Sequence, residues 1–244
     1  THNLTSATAG YNVAVGFNAG VSVSTGTQNT IIGALAGDAL TTGTAGNVAV
    51  GYQALTTQVG YGQNVAIGTQ ALRDQNVNSH GNNVAVGHQA GLSVSTGTSN
   101  TLIGSLAGDA ITTGSHNIAI GREALSSEDA HGYNIAIGGY ALQDQNAEAD
   151  AYNVAIGYQA GTEVSSGIQN ILIGGNAGDA ITGGSHNIAI GGGALGSEDG
   201  NGKNIAIGYI ALNAQNAGAD AYNIAIGYEA GKVISTGVNN TIMG

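Results

Sequence analysis

The chain has 244 residues, of which 43 are Gly and none is Pro, Cys or Trp, and its formal net charge at pH 7 is −11. Four Lys and Arg residues cannot neutralise a phosphate backbone, which argues against nucleic acid as a partner, and a chain without Cys has no disulfide or thiolate chemistry. No apolar run reaches the roughly 18 residues of a membrane-spanning helix, and no charged leader precedes an apolar stretch, so membrane insertion is not expected.

The first element in chain order is the pentad Asn12-Val13-Ala14-Val15-Gly16. Its pattern, Asn–(Val/Ile/Thr)–(Ala/Ile/Leu)–(Ile/Val/Met)–Gly, occurs fourteen times, the last beginning at Asn240, and the step from one Asn to the next is 17, 18 or 19. A longer period lies on top: the steps from Asn12 to Asn83, to Asn153 and to Asn223 are 71, 70 and 70, so four units make a superrepeat. Such periodicity organises the 42 % hydrophobic content and separates this Gly-rich chain from a disordered one. No linker interrupts the array. The expected organisation is one continuous repeat domain, 1–244, as a segment of a longer fibre or a filament subunit.

Each pentad is rich in Val and Ile, which favour strands, and five residues are too few for a helix. In Asn134-Ile135-Ala136-Ile137-Gly138 the two isoleucines share one face and Ala136 takes the other, both apolar. Seven residues after each Asn comes Ala, from Ala19 to Ala230, then a polar stretch such as Ser22-Val23-Ser24-Thr25-Gly26 suited to a second, more exposed strand. The unit therefore reads as one coil of an all-β parallel β-solenoid: about 14 coils of 17–19 residues. Longer units carry their extra residues at 76–82, 147–152 and 217–222.

Stacking at about 4.8 Å per coil lets neighbours enclose a core that one coil cannot. Ile120, Ile137, Ile156 and Ile173 are expected to stack as an inner aliphatic ladder, and Asn117, Asn134 and Asn153 as an amide-to-amide ladder. Gly121, Gly138 and Gly157 are expected at corners with positive φ or close backbone approach.

The run Asn117-Ile118-Ala119-Ile120-Gly121-Arg122-Glu123-Ala124 resembles the head repeats of trimeric autotransporter adhesins and similar repeats in bacteriophage tail fibres, and the resemblance extends over essentially the whole chain. It implies a left-handed β-roll, a homotrimer of chains side by side, and an extracellular place on a cell surface or virion. The coils here exceed that family's compact ones in length, so the turns are expanded. A coiled-coil stalk and a membrane anchor are absent from the sequence, so an autotransporter assignment would require an excised piece.

The second coil of each superrepeat carries a bulky central residue, Ile31, Leu102, Leu172 or Ile242, where the others carry Ala. These are expected to act as inter-chain knobs on an alanine face; the alternative is a roomier core in that coil. Phe17, His88, Tyr158 and Tyr228 follow the pentad Gly of each first coil and form a candidate surface-ligand stripe for a glycan, or pack over a neighbouring turn. A cell-surface glycan or protein receptor is the partner such a stripe would serve.

Acids concentrate in turns: Asp38, Asp109 and Asp179 in one column, Glu128-Asp129 and Glu198-Asp199 in another. They lack calcium-loop spacing, and the histidines at 2, 80, 88, 116, 131 and 186 lack zinc spacing, so no metal or other cofactor is expected. Thr41-Thr42 and Thr112-Thr113 recur in too few coils for an ice-binding array. With all units so nearly equal in length, no inserted loop builds the wall of a pocket, and no catalytic residue is expected. The five residues from Asn240 and the eleven before Asn12 would together complete a coil, which suggests end-to-end stacking. The expected function is that of a non-catalytic, extracellular, fibrous shaft for attachment to cell or host surfaces. A self-assembling filament without receptor binding is the alternative, and a polysaccharide-degrading spike a more distant one.

Overall fold

The computed structural model describes residues 10–41 and 43–244. His2, Thr42 and most of the segment before Asn12 lie outside the described residues, and with them the expected composite coil. Every pentad forms a three-residue strand, from β1 (Val13–Val15) to β14 (Thr241–Met243), and the described residues contain no helix. The chain is thus an all-β parallel β-solenoid with one strand per coil. It comprises two compact units, Thr1–Asn117 and Ile118–Gly244.

Within each unit consecutive strands pair parallel and in register. In the first, Ala14 stands beside Ile31 and Ile31 beside Ala49. In the second, Ala136, Ala155, Leu172 and Ala189 follow one another across the sheet. One sequence period therefore equals one coil, and the longer periods are absorbed without a shift of register.

The rest of the coil differs from the expected second strand. Stretches such as 22–26 form bends, with an isolated bridge between Thr27 and Ala45. Left-handed residues turn the chain sharply instead: Tyr133, Tyr140 and Leu142 have φ of 62°, 62° and 48°. The turns still stack, since main-chain groups bond from coil to coil, as in Ser95 N–H to Thr112 O at 2.8 Å and Asn146 N–H to Ser165 O at 2.9 Å.

The strand faces are the reverse of expectation. Ala119, Ala136, Ala155, Ala189 and Ala206 are fully buried inside the coils. Ile120, Ile137, Ile156 and Ile173 point outward, with Ile156 37 % exposed, so the inner aliphatic ladder does not exist. The reason is volume. The interior already holds the Ala seven residues after each Asn and a further column eleven residues after it (Val94, Ile111, Gln145, Val164), all fully buried.

Ile31, Leu102 and Leu172 are likewise fully buried, and Ile242 is half-buried in the last coil. They are core residues and not inter-chain knobs. Room for them comes from the position eight residues after each Asn, which is Gly in the first two coils of a superrepeat and Leu in the third and fourth. Gly91 and Gly108 flank Leu102, and a Cβ on either would lie 2.7 Å from a Leu102 methyl carbon. Large centre with small flank, then small centre with large flank, is the physical content of the four-coil superrepeat.

The Asn column is buried except at its two ends and is an amide-to-amide ladder only in part. Asn29 Nδ2 donates to Asn12 Oδ1 at 3.2 Å, Asn47 Nδ2 to Asn29 Oδ1 at 3.2 Å and Asn240 Nδ2 to Asn223 Oδ1 at 3.0 Å, whereas the commoner link runs from side chain to main chain. Asn134 Oδ1 accepts the main-chain N–H of Asn153 at 3.2 Å, and Asn153 Oδ1 accepts that of Asn170 at 2.8 Å. Asn117 is bound in the same way to Asn100 Oδ1, at 2.9 Å. Other amide nitrogens turn to different core acceptors, as where Asn153 Nδ2 donates to Gln145 Oε1 at 2.6 Å and to Gly167 O at 2.7 Å. Asn153 thereby satisfies main-chain groups of two stretches of coil.

The glycines that close the pentads are as tightly placed as expected. Gly121, Gly138 and Gly157 have φ of 138°, 136° and 141°, and a Cβ on Gly138 would overlap the carbonyl oxygen of Gly157.

Candidate functional site

Alternation along the strand sends the residues on either side of the buried centre to the outer face. In the second unit these are Ile118 and Ile120, Ile135 and Ile137, Val154 and Ile156, continuing to Thr241 and Met243. In-register pairing stacks them into two unbroken columns of mostly β-branched side chains, half-buried or exposed. Val15, Ile32, Ile67 and Ile103 continue the pattern in the first unit at 58 %, 39 %, 38 % and 37 % exposure. No strand triplet contains a charged residue, although the chain carries 15 Asp and Glu. A parallel sheet is ordinarily covered on both faces. Here the coil interior covers one, and the other stands open within each unit.

Beside this face lies the aromatic stripe. Phe17, Tyr158 and Tyr228 are 72 %, 57 % and 70 % exposed, and His88 is exposed as well. Each sits on its own first coil, Phe17 and His88 in the first unit and Tyr158 and Tyr228 in the second, and the second-unit pair find ring partners in adjacent coils. Tyr228 stacks on Tyr209 with centroids 5.6 Å apart, and Tyr158 meets Tyr140 edge-on at 5.9 Å. The Arg122 guanidinium stands 4.5 Å from the Tyr140 ring centre. Tyr158 also covers Gly139, whose Cβ position lies 3.6 Å from the ring. Another stacked pair, Tyr133 and Tyr152 at 5.1 Å, lies just before the pentads and was not singled out by sequence. Its signal was available: both precede a pentad Asn, one coil apart.

The acids divide into two kinds. Asp199 is exposed and Asp38, Asp109 and Asp179 half-buried, whereas Glu128 and Glu198 are fully buried in the core column. Burial holds the carboxyls of Glu128 and Glu198 above the usual range. At Asp220 the Lys203 ammonium, hydrogen-bonded to it, lowers the carboxyl instead. The structure brings Glu128, Asp129 and His131 together in one turn, a grouping that spacing rules passed over.

No family model, curated protein or solved structure matches the chain.

Proposed function

We propose that the chain is a non-catalytic, extracellular fibrous protein whose coils form a stiff shaft for attachment to cell or host surfaces. Copies of the chain associate through their outer strand faces, as a homotrimer. The observation that carries this reading is the open, charge-free aliphatic face, repeated in every coil and therefore matched in pitch by a second copy of itself. Burying such surface contributes about 25 cal/mol per Å² of apolar area, so a face repeated over many coils accumulates a large driving force. The acids stay off this face and keep the assembly soluble.

The resemblance to adhesin heads and phage tail fibres supports the attachment role and the place on a cell surface or virion. Exposed rings at Tyr158 and Tyr209–Tyr228 supply stacking surfaces suited to sugars. The test is saturable binding of the purified, assembled chain to whole cells or a glycan array. Association without any binding would favour a self-assembling filament that carries no receptor function.

A further inference from the structure

One core column changes its chemistry from one superrepeat to the next. Eleven residues after Asn47 the core position is Gln58, followed by Val59 and, two residues on, Tyr61. One superrepeat later, after Asn117, the same positions hold Glu128, Asp129 and His131. A neutral amide has become a carboxylate at a fully buried site, and two further donor side chains have arrived beside it in the same turn.

The geometry brings them to one point. Glu128 Oε1 accepts the His131 main-chain N–H at 3.0 Å and lies 3.7 Å from His131 Nδ1. Glu128 Oε2, equally shut off from solvent, has no hydrogen-bond partner. A carboxylate oxygen from each acid and a ring nitrogen of His131 lie within 4.8 Å of one another. Asp129 is exposed and His131 half-buried, so the group opens to solvent on one side. An unpaired oxygen on a buried carboxylate is costly unless a cation or a proton meets it.

We propose that Glu128, Asp129 and His131 bind one first-row divalent transition ion of the Zn²⁺ type, with water completing its shell. Two carboxylates and an imidazole suit such an ion, whereas Ca²⁺ takes oxygen ligands alone. The ion neutralises the buried carboxylate and pins the turn to the core. The third superrepeat offers a built-in comparison: Glu198 and Asp199 recur, but Asn201 replaces the histidine, and Asn204 Nδ2 donates to Glu198 Oε2 at 3.3 Å. That coil lacks the nitrogen donor.

The test is calorimetric titration of the metal-free full chain with Zn²⁺ alone. His131→Asn installs the residue found at 201, and Glu128→Gln the type found at 58, so both variants are compatible with their columns. The expected result is one saturable ion per chain, weakened about tenfold or more by either change and untouched by Glu198→Gln or His88→Asn. A chain with no saturable site, or a site that survives His131→Asn, overturns the proposal. Should Glu128→Gln unfold, the His131→Asn measurement decides alone.

Discussion

Leu102 occupies the space that Gly91 leaves empty: a Cβ on Gly91 would come within 2.7 Å of Leu102 Cδ1. Positive φ is not what demands glycine there, because Leu55 and Leu125 stand at the same coil position with φ of 53°. Volume demands it. Leu102→Ala should therefore cost about 2–5 kcal/mol through the cavity it opens. Gly91→Leu should destabilise by overpacking, about 1–3 kcal/mol. The double variant recreates the small-centre, large-flank arrangement of other coils and should recover part of both losses in thermal unfolding. Strict additivity of the two costs would show that the residues do not share one space.

Ala136→Asp and Ile137→Asp, adjacent in one strand, should behave oppositely. The first places an unpaired carboxylate among fully buried alanines and should destabilise the coil by several kcal/mol, about the cost of an unsatisfied buried polar group or more. The second faces outward and should leave the fold of a single chain intact while weakening association. Circular dichroism melts paired with size measurements separate the two effects.

Gly138→Ala should cost more than about 2 kcal/mol, since φ of 136° strains any side chain and its Cβ would overlap the next coil's backbone. Gly139→Ala, one residue on, meets nothing nearer than the Tyr158 ring at 3.6 Å and should be close to neutral. Comparable melting losses for both would contradict the corner geometry.

Glu198 links stability to pH. Burial raises its carboxyl above the unfolded value of 4.5, so the native chain holds this proton more tightly than the unfolded chain does. The contribution is fully favourable below that unfolded value and is lost as pH rises through the folded one. Acidification from pH 7 toward pH 4.5 should therefore stabilise the wild type relative to Glu198→Gln. Melting temperatures of the two chains across that range should diverge toward neutrality, with the variant higher at pH 7. Parallel curves would show that Glu198 is not held protonated by its surroundings.

Much of the fold was legible because the pentad Asn marks every coil: its spacing alone sets coil length, strand position and register. The inner face was not legible from Ile-Ala-Ile, which is apolar on both sides; parity separates the two faces without saying which is inside. The deciding clue was the pairing of Ile31, Leu102 and Leu172 with flanking glycines, and of alanine centres with Leu55, Leu72 and Leu125. Columns that trade volume share one interior. Ser22-Val23-Ser24-Thr25-Gly26 resembles a strand by composition, but left-handed corners such as Asn18 and Gly20 commit the chain to stacked turns. Glu128 stands in sequence as one more turn acid because its column mixes Val, Leu, Ile, Gln and Glu, and only alignment of the coils reveals that the column points inward.

The outer aliphatic face is the feature on which the functional account rests, and the mass of the purified chain in solution tests it most directly. Multi-angle light scattering should give three times the 23.9 kDa chain mass, falling toward one chain when Ile137 and Ile156 are both replaced by Asp. A wild-type chain that runs as a clean 23.9 kDa monomer at all concentrations would contradict it.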